Sequence, residues 1–554
     1  MSENRTTEFL ARFNALKSER ESTWDSHWKE IAQYLLPGRG RFVTSGDKPN
    51  RGEKRNDKII DSQGTQSLRM IAAGMHGGLT PLSRPWFRLG TSDPDLQNAP
   101  GVRDWLAWWE RKILHAKARS NFYECAATFF LELPGFGTGL LLALDDAPLG
   151  VRYHCATIGE YYLGTNYKGQ VDTLYRLFWM TPRQMEQQFG RAKMSQAAQN
   201  LLEKSPFEPI KVIHGIEPNK GRDPGKADGR NKPYASYYLE EGGDDFLSVG
   251  GFEEQPFMAA RWDVVGNDAY GRGPGMDVLG DVKMLQSMSE AAIYGIQLQV
   301  RPPHIIPSTI KGVLNDLPGG RTYYDGTPEN IRPLFQVNPD LNGVRQYLLE
   351  VVKPNIRAGF FNDLFLTVQN HPDMTATEVA ERHAEKLLLL GPVIERTQSE
   401  VLDPDIQRTF SILFRQIPPD QAPPIPKELV GQDIKVEYIS LLAQAQKAVG
   451  TASISQFAAF VGSLAQLKPD VLDKANFDAA VDEYAEAQGV PPKLLVTDDQ
   501  VAQVRQGRAQ AQAAAMQAEE QRADALSMTQ QAKDLGSIPS EGNVMADMAG
   551  AVAQ

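Results

Sequence analysis

The stretch AYGRGPGMDVLGDVKMLQSMSEAAIYGIQLQV, residues 269–300, decides the fold. Three alternating glycines, Gly271, Gly273 and Gly275, open onto an uninterrupted helical run. Val278, Val282, Leu285, Met288, Ala292 and Ile296 recur at intervals of three and four, which puts them on one stripe. A helix over 277–300 would be about 36 Å long at 1.5 Å per residue. Arg301-Pro302-Pro303 ends it. A rod of that length with one apolar side needs a partner along its whole stripe. The glycine turn departs from a dinucleotide fingerprint, which wants glycine at its first, third and sixth positions. Here the sixth position is Met276, and no βαβ pattern precedes it. A flexible joint feeding the helix is the expected role.

Downstream, a compact insert, PHIIPSTIKGVLNDLPGGRTYYDG, carries the turn signal Pro318-Gly319-Gly320. A second helix is expected over about residues 341–361, bent or ended early by Pro354. The polar stretch TVQNHPDMT then leads to a long helix capped by Thr375 or Thr377 and running to about Arg415. Gly391-Pro392 should kink it. After the Pro-rich break QIPPDQAPPIPKEL come a smaller helical unit over about 438–488 and an Ala/Gln/Glu-rich helix over 501–533. The last residues, GSIPSEGNVMADMAGAVAQ, are expected to be disordered. No internal repeats are visible.

Upstream, Phe9, Phe13 and Leu16, then Trp24, Trp28, Ile31 and Leu35, keep helical spacing until Pro37-Gly38 stops it. Helices are expected near 66–75 and 102–118. The second carries Trp105, Trp108 and Trp109 as a core layer or subunit contact. From Thr138 the period shortens to that of strands in TGLLLALDD, VRYHC, EYYLGT, DTLYRLFWM, FEPIKVIHGI, YASYYLEE and PFMAARWDVV. One helix interrupts them, with Thr181 as N-cap, Pro182 at N1, Gln184 as capping-box partner and Gly190 at its end. The basic loop NKGRDPGKADGRNKP, 219–233, is expected to be mobile.

Chemistry-bearing patterns are sparse. The 554 residues hold 58 Lys and Arg against 69 Asp and Glu, a formal net charge of −11. Tight static DNA binding normally draws on a basic surface, which this chain lacks overall. Cys125 and Cys155 form no CxxC pair, and the eight histidines form no HExxH. His154 and Cys155 are strand neighbours that point to opposite faces, so they do not share a metal. There is no P-loop and no GxSxG elbow. Asp145-Asp146, Glu240-Glu241 and Asp244-Asp245 read as solvated turns. Arg39, Arg41, Arg51, Lys54 and Arg55 could touch phosphate, though a solvated loop explains them. The amino terminus lacks a signal-peptide core, and no run approaches the ~20 apolar residues of a membrane span. Neither catalytic residue, cofactor, metal nor membrane partner is expected.

Four segments in order carry a resemblance: WDSHWKEIAQYLLPGRGRF (24–42), DSQGTQSLRMIAAGMHGGLTPLSRPWFRL (61–89), AYGRGPGMDVLGDVKMLQ (269–286) and MTATEVAERHAEKLLLLGPV (374–393). Together the chain, over roughly residues 5–415, resembles the portal, or head-to-tail connector, proteins of short-tailed bacteriophages. The resemblance implies an α+β, mainly helical portal fold that assembles as a ring. Its parts would be a wing (1–268), first stem helix (269–300), clip (301–337), second stem helix (338–360), tunnel loop (361–374) and kinked wing helix (375–416). A crown (417–490), a C-terminal helix that could extend a barrel (491–535) and a tail (536–554) would follow. It implies a twelve-subunit channel at one capsid vertex through which double-stranded DNA is packaged and ejected, without sequence specificity. Implied partners are the major capsid protein, scaffolding protein, the terminase large subunit and tail adaptor proteins. The implied location is the virion, after assembly in the host cytoplasm. On position alone, Lys283, Lys311, Arg321, Asn370 and His371 are the expected DNA-channel residues. Gly271, Gly273, Gly275, Gly391 and Pro392 are the expected hinge and kink. Two alternatives stay open: a soluble α+β enzyme holding a phosphorylated ligand at the 271–275 turn, and another ring-forming virion protein.

Overall fold

The computed structural model describes residues 2–39, 52, 56–93, 96, 99–226, 228–300, 304–305, 332–333, 343, 346–365, 389–439, 457–465, 468–487, 496 and 498–536. They fall into two compact units, Met1–Val449 and Gly450–Gln554.

The first unit opens with α1 (Ser2–Thr23) and α2 (Asp25–Tyr34), which break at Trp24 where periodicity alone implies one helix. Trp24 stacks on Trp28 at 5.7 Å. Trp28 is fully buried, and its indole donates to the Phe136 carbonyl at 3.1 Å. α3 (Gln63–Leu79), β1 (Phe87–Thr91), α4 (Pro100–Arg119) and α5 (Phe122–Phe136) follow. On α4, Trp105 and Trp109 are buried, and Trp109 meets Phe410 at 4.9 Å. These two tryptophans are core.

Next come β2 (Thr138–Asp146), β3 (Gly150–Ala156), β4 (Tyr161–Thr165) and β5 (Val171–Met180). α6 (Pro182–Phe189) starts with the full Thr181–Gln184 capping box and stops at Gly190, with φ 81°. α7 (Gln196–Lys204), β6 (Ile210–Pro218), β7 (Tyr234–Glu240), β8 (Phe246–Phe252) and β9 (Phe257–Arg261) complete this part. β4 to β8 form an antiparallel five-stranded meander, and β3-β2-β9 form a three-stranded sheet.

Strand alternation gives the meander two apolar faces. On one, Phe9 and Phe13 of α1 pack against Tyr162, Tyr175, Ile213 and Leu239. Gly215 is required there, because a Cβ would overlap the Phe9 ring and lie 2.8 Å from Tyr175. On the other face, Met185 and Ala198 of α6 and α7 cover Met180, Val212 and Leu247. The 219–233 loop is internally bonded rather than loose. Asn219 Nδ2 donates to the carbonyls of Arg230 and Lys232 at 2.9 and 3.0 Å.

The long helix is present as α8 (Leu279–Val300). A π-helical turn, Leu348–Val352, leads into α9 (Lys353–Gly359), whose first turn holds Pro354. Proline has no N–H and its ring crowds the carbonyl four residues back, and a widened turn relieves both. The chain therefore passes Pro354 as helix and turns at Phe361, with φ 53°. The same device recurs at Gln398–Leu402 before α10 (Asp403–Gln416), with Pro404 in its first turn. Residues 389–397 are helical through Gly391 and Pro392, and among the described residues of this arm a π-helical turn follows at 398–402. β10 (Ile434–Tyr438) then returns to pair with β1, which ties the first part of the 417–490 segment to the amino-terminal portion. In the second unit, α11 (Phe477–Ala487) and the 39-residue α12 (Asp498–Gly536) are mostly exposed, and Arg505 grips Asp478 with bonds of 2.6 and 2.7 Å.

Candidate functional site

Of the residues singled out in the sequence, Gly271, Gly273 and Gly275 lie together where α5 ends and the long helix begins. α5 stops at Gly137, with φ 80°, a left-handed conformation that favours glycine. Gly137 O accepts from Trp262 N, and Thr138 Oγ1 accepts from Gly271 N, both at 2.9 Å. The 271–275 segment crosses this corner backbone on backbone. A Cβ on Gly273 would sit 2.9 Å from Gly137 Cα, and one on Gly275 would overlap the Gly135 carbonyl. The glycines expected to loosen a joint instead permit a tight crossing. The Gly135–Gly137 backbone also fills the space a phosphate would need, and the helical turn that follows, Pro274–Asp277, has four residues. The geometry thus leaves no cradle for a phosphorylated ligand.

α8 leaves this crossing with two different halves. Leu279, Val282 and Leu285 are buried, and Gln286 holds the Ile60 and Asp61 amides at 2.7 and 2.8 Å. Further along, Ile293, Tyr294, Ile296 and Val300 are exposed, as are Tyr347 just before the π-turn and Leu349 and Val351 within it. Lys283, expected to reach DNA, pairs with Glu30 at 2.7 Å and lies 5.8 Å from the Tyr34 ring. It braces α8 against α2. Lys311, Arg321, Asn370 and His371 lie outside the described residues.

The second arm is held by charges that sequence reading does not single out. Arg261 grips Glu400 through Nη2 at 2.6 Å and Nε at 3.1 Å, and its backbone amide adds a third bond at 2.9 Å. Lys117, fully buried, pairs with Asp405 and reaches the Tyr153 hydroxyl at 3.0 Å; that hydroxyl meets Thr409 at 2.9 Å. Burial pulls the Lys117 amine below its ordinary range, and Asp405 opposes the shift. Arg408 donates to the Ala143 carbonyl at 2.7 Å and to Glu254 at 3.2 Å, and Arg415 closes on Glu254 at 2.6 Å. One signal was available: Trp109, Ile113 and Lys117 share a helical stripe, so Lys117 stands on a buried face.

His154 and Cys155 point apart. His154 Nε2 meets Arg176 Nη2 at 2.7 Å, and Cys155 interacts with Cys125. Among the described residues, no group of three or more His, Cys, Asp or Glu side chains could hold a metal ion. None of the described helices is long and apolar enough to cross a membrane.

Comparison with known proteins adds an independent line. A family model described as bacteriophage head to tail connecting protein matches residues 6–495. The chain is 44% identical over 517 residues to the probable portal protein of Bordetella phage BPP-1, covering 92% of both chains. It is 39% identical over 568 residues to the portal protein of Salmonella phage epsilon15, covering 100% of both. A solved chain from the virion of a native gene transfer agent particle aligns over 76% of this chain and 94% of its own. That match has 12% identity and a TM-score of 0.32.

Proposed function

The chain belongs to the family of bacteriophage head-to-tail connecting proteins and acts as a phage portal protein, and we propose that twelve copies close into the ring through which double-stranded DNA enters and leaves one capsid vertex. The observation that carries the ring is the divided long helix. α8 buries Val282 and Leu285 in its own chain, yet Ile293, Tyr294, Ile296 and Val300 stand in solvent. An apolar stripe emerging from a core is stable when another surface covers it, and a neighbouring copy supplies that surface at every position of a ring. Residues 269–300 and 338–360 would be the stem helices, residues 301–337 the clip, 361–374 the tunnel loop and 375–416 the wing helix. The wing would span 1–268 and the crown 417–490, with 491–535 as the C-terminal helix and 536–554 as the tail.

A net charge of −11 per copy fits a conduit. Duplex DNA carries one negative charge per ~1.7 Å, and a strongly basic bore would hold it in place. Acidic walls with a few cations at the constriction leave it free to slide. The channel residues of this reading are Lys283, which also pairs with Glu30, Lys311, Arg321, Asn370 and His371. We place the major capsid protein and scaffolding protein on the outer wall. The terminase large subunit docks at the clip during packaging, and tail adaptors dock there afterwards. Assembly in the host cytoplasm precedes incorporation at the vertex. No catalytic role is proposed.

Negative-stain imaging with light scattering on the purified chain, with scaffolding protein supplied, is the direct test. A closed ring with a central hole is expected. A monomer or dimer under those conditions would refute the reading. Charge reversal at Lys311 and Arg321 is expected to alter genome retention, and unchanged packaging would remove those two from the channel.

A further inference from the structure

We propose that neighbouring copies meet through opposite ends of the five-stranded sheet, the basic loop 219–233 of one copy against the acidic turn 241–245 of the next. The contact rests on the ring reading and specifies where its surfaces lie.

The loop is built to present cations. Its frame is fixed by Asn219 on the Arg230 and Lys232 carbonyls, by Asp228 Oδ1 accepting from the Arg230 and Asn231 amides at 3.0 Å, and by Asp223 N donating to Asn231 at 2.9 Å. Lys226 and Lys232 are engaged by Asp223 and Glu253. Lys220, Arg222 and Arg230 are exposed and make no ion pair among the described residues. Tyr167, 91% exposed, stands at the same end of the sheet with Lys168 near its ring. A preformed loop loses little freedom on docking, and Arg and Tyr are favoured at contact centres.

The other end carries the complement. Glu241 is taken by Lys211 at 3.4 Å, while Asp244 and Asp245 are exposed and unpaired among the described residues. Arg191, nearby in this half, is held by Glu203. β6 and β7 pair from Val212↔Glu240 to Pro218↔Tyr234, so at about 3.3 Å per residue the two ends lie ~20 Å apart. They cannot meet within one chain. A head-to-tail contact needs two different, complementary patches on every copy, and copies that each carry −11 repel unless opposite charges face one another.

The test uses the full chain in three forms: Arg222→Glu with Arg230→Glu, Asp244→Lys with Asp245→Lys, and all four together. Closed rings are counted by negative stain, with circular dichroism as the folding control. Each reversed pair is expected to lower the ring fraction several-fold, and the fourfold variant to restore it. A chain carrying Arg222→Cys and Asp244→Cys is expected to give a ladder of covalent oligomers under mild oxidation. Rings indifferent to both reversals would overturn the contact and leave the ring intact. Loss at the loop without rescue would assign the loop to a different acidic partner, and loss of DNA retention from intact rings would assign it to nucleic acid. Either result overturns the proposal. If the unaltered chain forms no ring with scaffolding protein supplied, both readings fall.

Discussion

At His154 one bond fixes the tautomer. Arg176 Nη2 donates across 2.7 Å, so Nε2 is the acceptor and the ring proton sits on Nδ1. Protonating Nε2 would lose that bond and bring two cations together, with Arg152 adding to the repulsion and His214 and Tyr238 closing the same pocket. Arg176 and burial hold His154 down at about 3. A base with a depressed folded value stabilises the fold fully above its unfolded value, near 6.5. That contribution fades as pH falls from 6.5 towards 3, by about 1.4 kcal/mol per pH unit. Glu132 and Glu110, pushed up to about 7 by burial, work in the opposite direction, since their share is lost as pH rises. The clean readout is therefore a difference. His154→Gln keeps an acceptor for Arg176, and the gap between its urea midpoint and the parent's should narrow steadily from pH 6.5 to pH 5. A constant gap would show that His154 does not titrate this way. The glycine crossing offers a second residue-scale contrast. Gly275→Ala should cost about 3 kcal/mol or more by driving a methyl into the Gly135 carbonyl. Gly280→Ala, in open space on α8, should gain up to about 1 kcal/mol. Equal denaturation midpoints would contradict the crossing.

Among the elements, α10 depends most on charge. Lys117→Met strands Asp405 in the interior and should destabilise the chain by about 3–5 kcal/mol. Adding Asp405→Leu removes the orphaned charge and should recover most of that loss. Denaturation of the two single variants and the double, read as a mutant cycle, measures the coupling, and additive losses would show that the pair is not coupled. Such partners are not legible in sequence: Lys117 and Asp405 lie 288 positions apart, and Arg261 and Glu400 lie 139 apart. Elements with a clean period are legible. The short apolar and aromatic runs of β2 to β7, bounded by turn residues, and the capping box at Thr181 emerge where local pattern places them. α5 escapes because FYECAATFFLELPGF is apolar on nearly every side, so no stripe marks it, and Pro134-Gly135 near its end looks like a stop. β1 and β10 escape because each is a five-residue strand stabilised by the other across most of the chain. At the crossing, the three glycines are visible in sequence, but the backbone that occupies them belongs to residues 135–137.

For the whole molecule, the decisive quantity is the excess of carboxylates. A ring of such chains should bind linear duplex DNA no more tightly than ordinary non-specific proteins, with Kd above about 10⁻⁶ M near 0.15 M salt. A gel shift or fluorescence titration at that salt checks it. Nanomolar retention would contradict a bore that lets DNA slide. The family assignment was also legible at this scale, because it rests on four segments spread along the chain rather than on one motif. The assembled geometry was not, since nothing in local periodicity says which surfaces face a neighbour.

The wide turn at Gln398–Leu402 has a consequence for how this arm is aimed. A π-turn takes up one residue more than an α-helical turn, so everything after it keeps the azimuth it would have in a helix one residue shorter; winding the same residues as regular α-helix would turn it by roughly 100°. Asp405, Arg408 and Ile412 face inward with the turn absorbing that residue. Deleting a single residue from 398–402 would let the turn close to regular helix with the inward set still facing the core, whereas adding one there would swing that set out towards water, like a key cut correctly but turned a quarter too far.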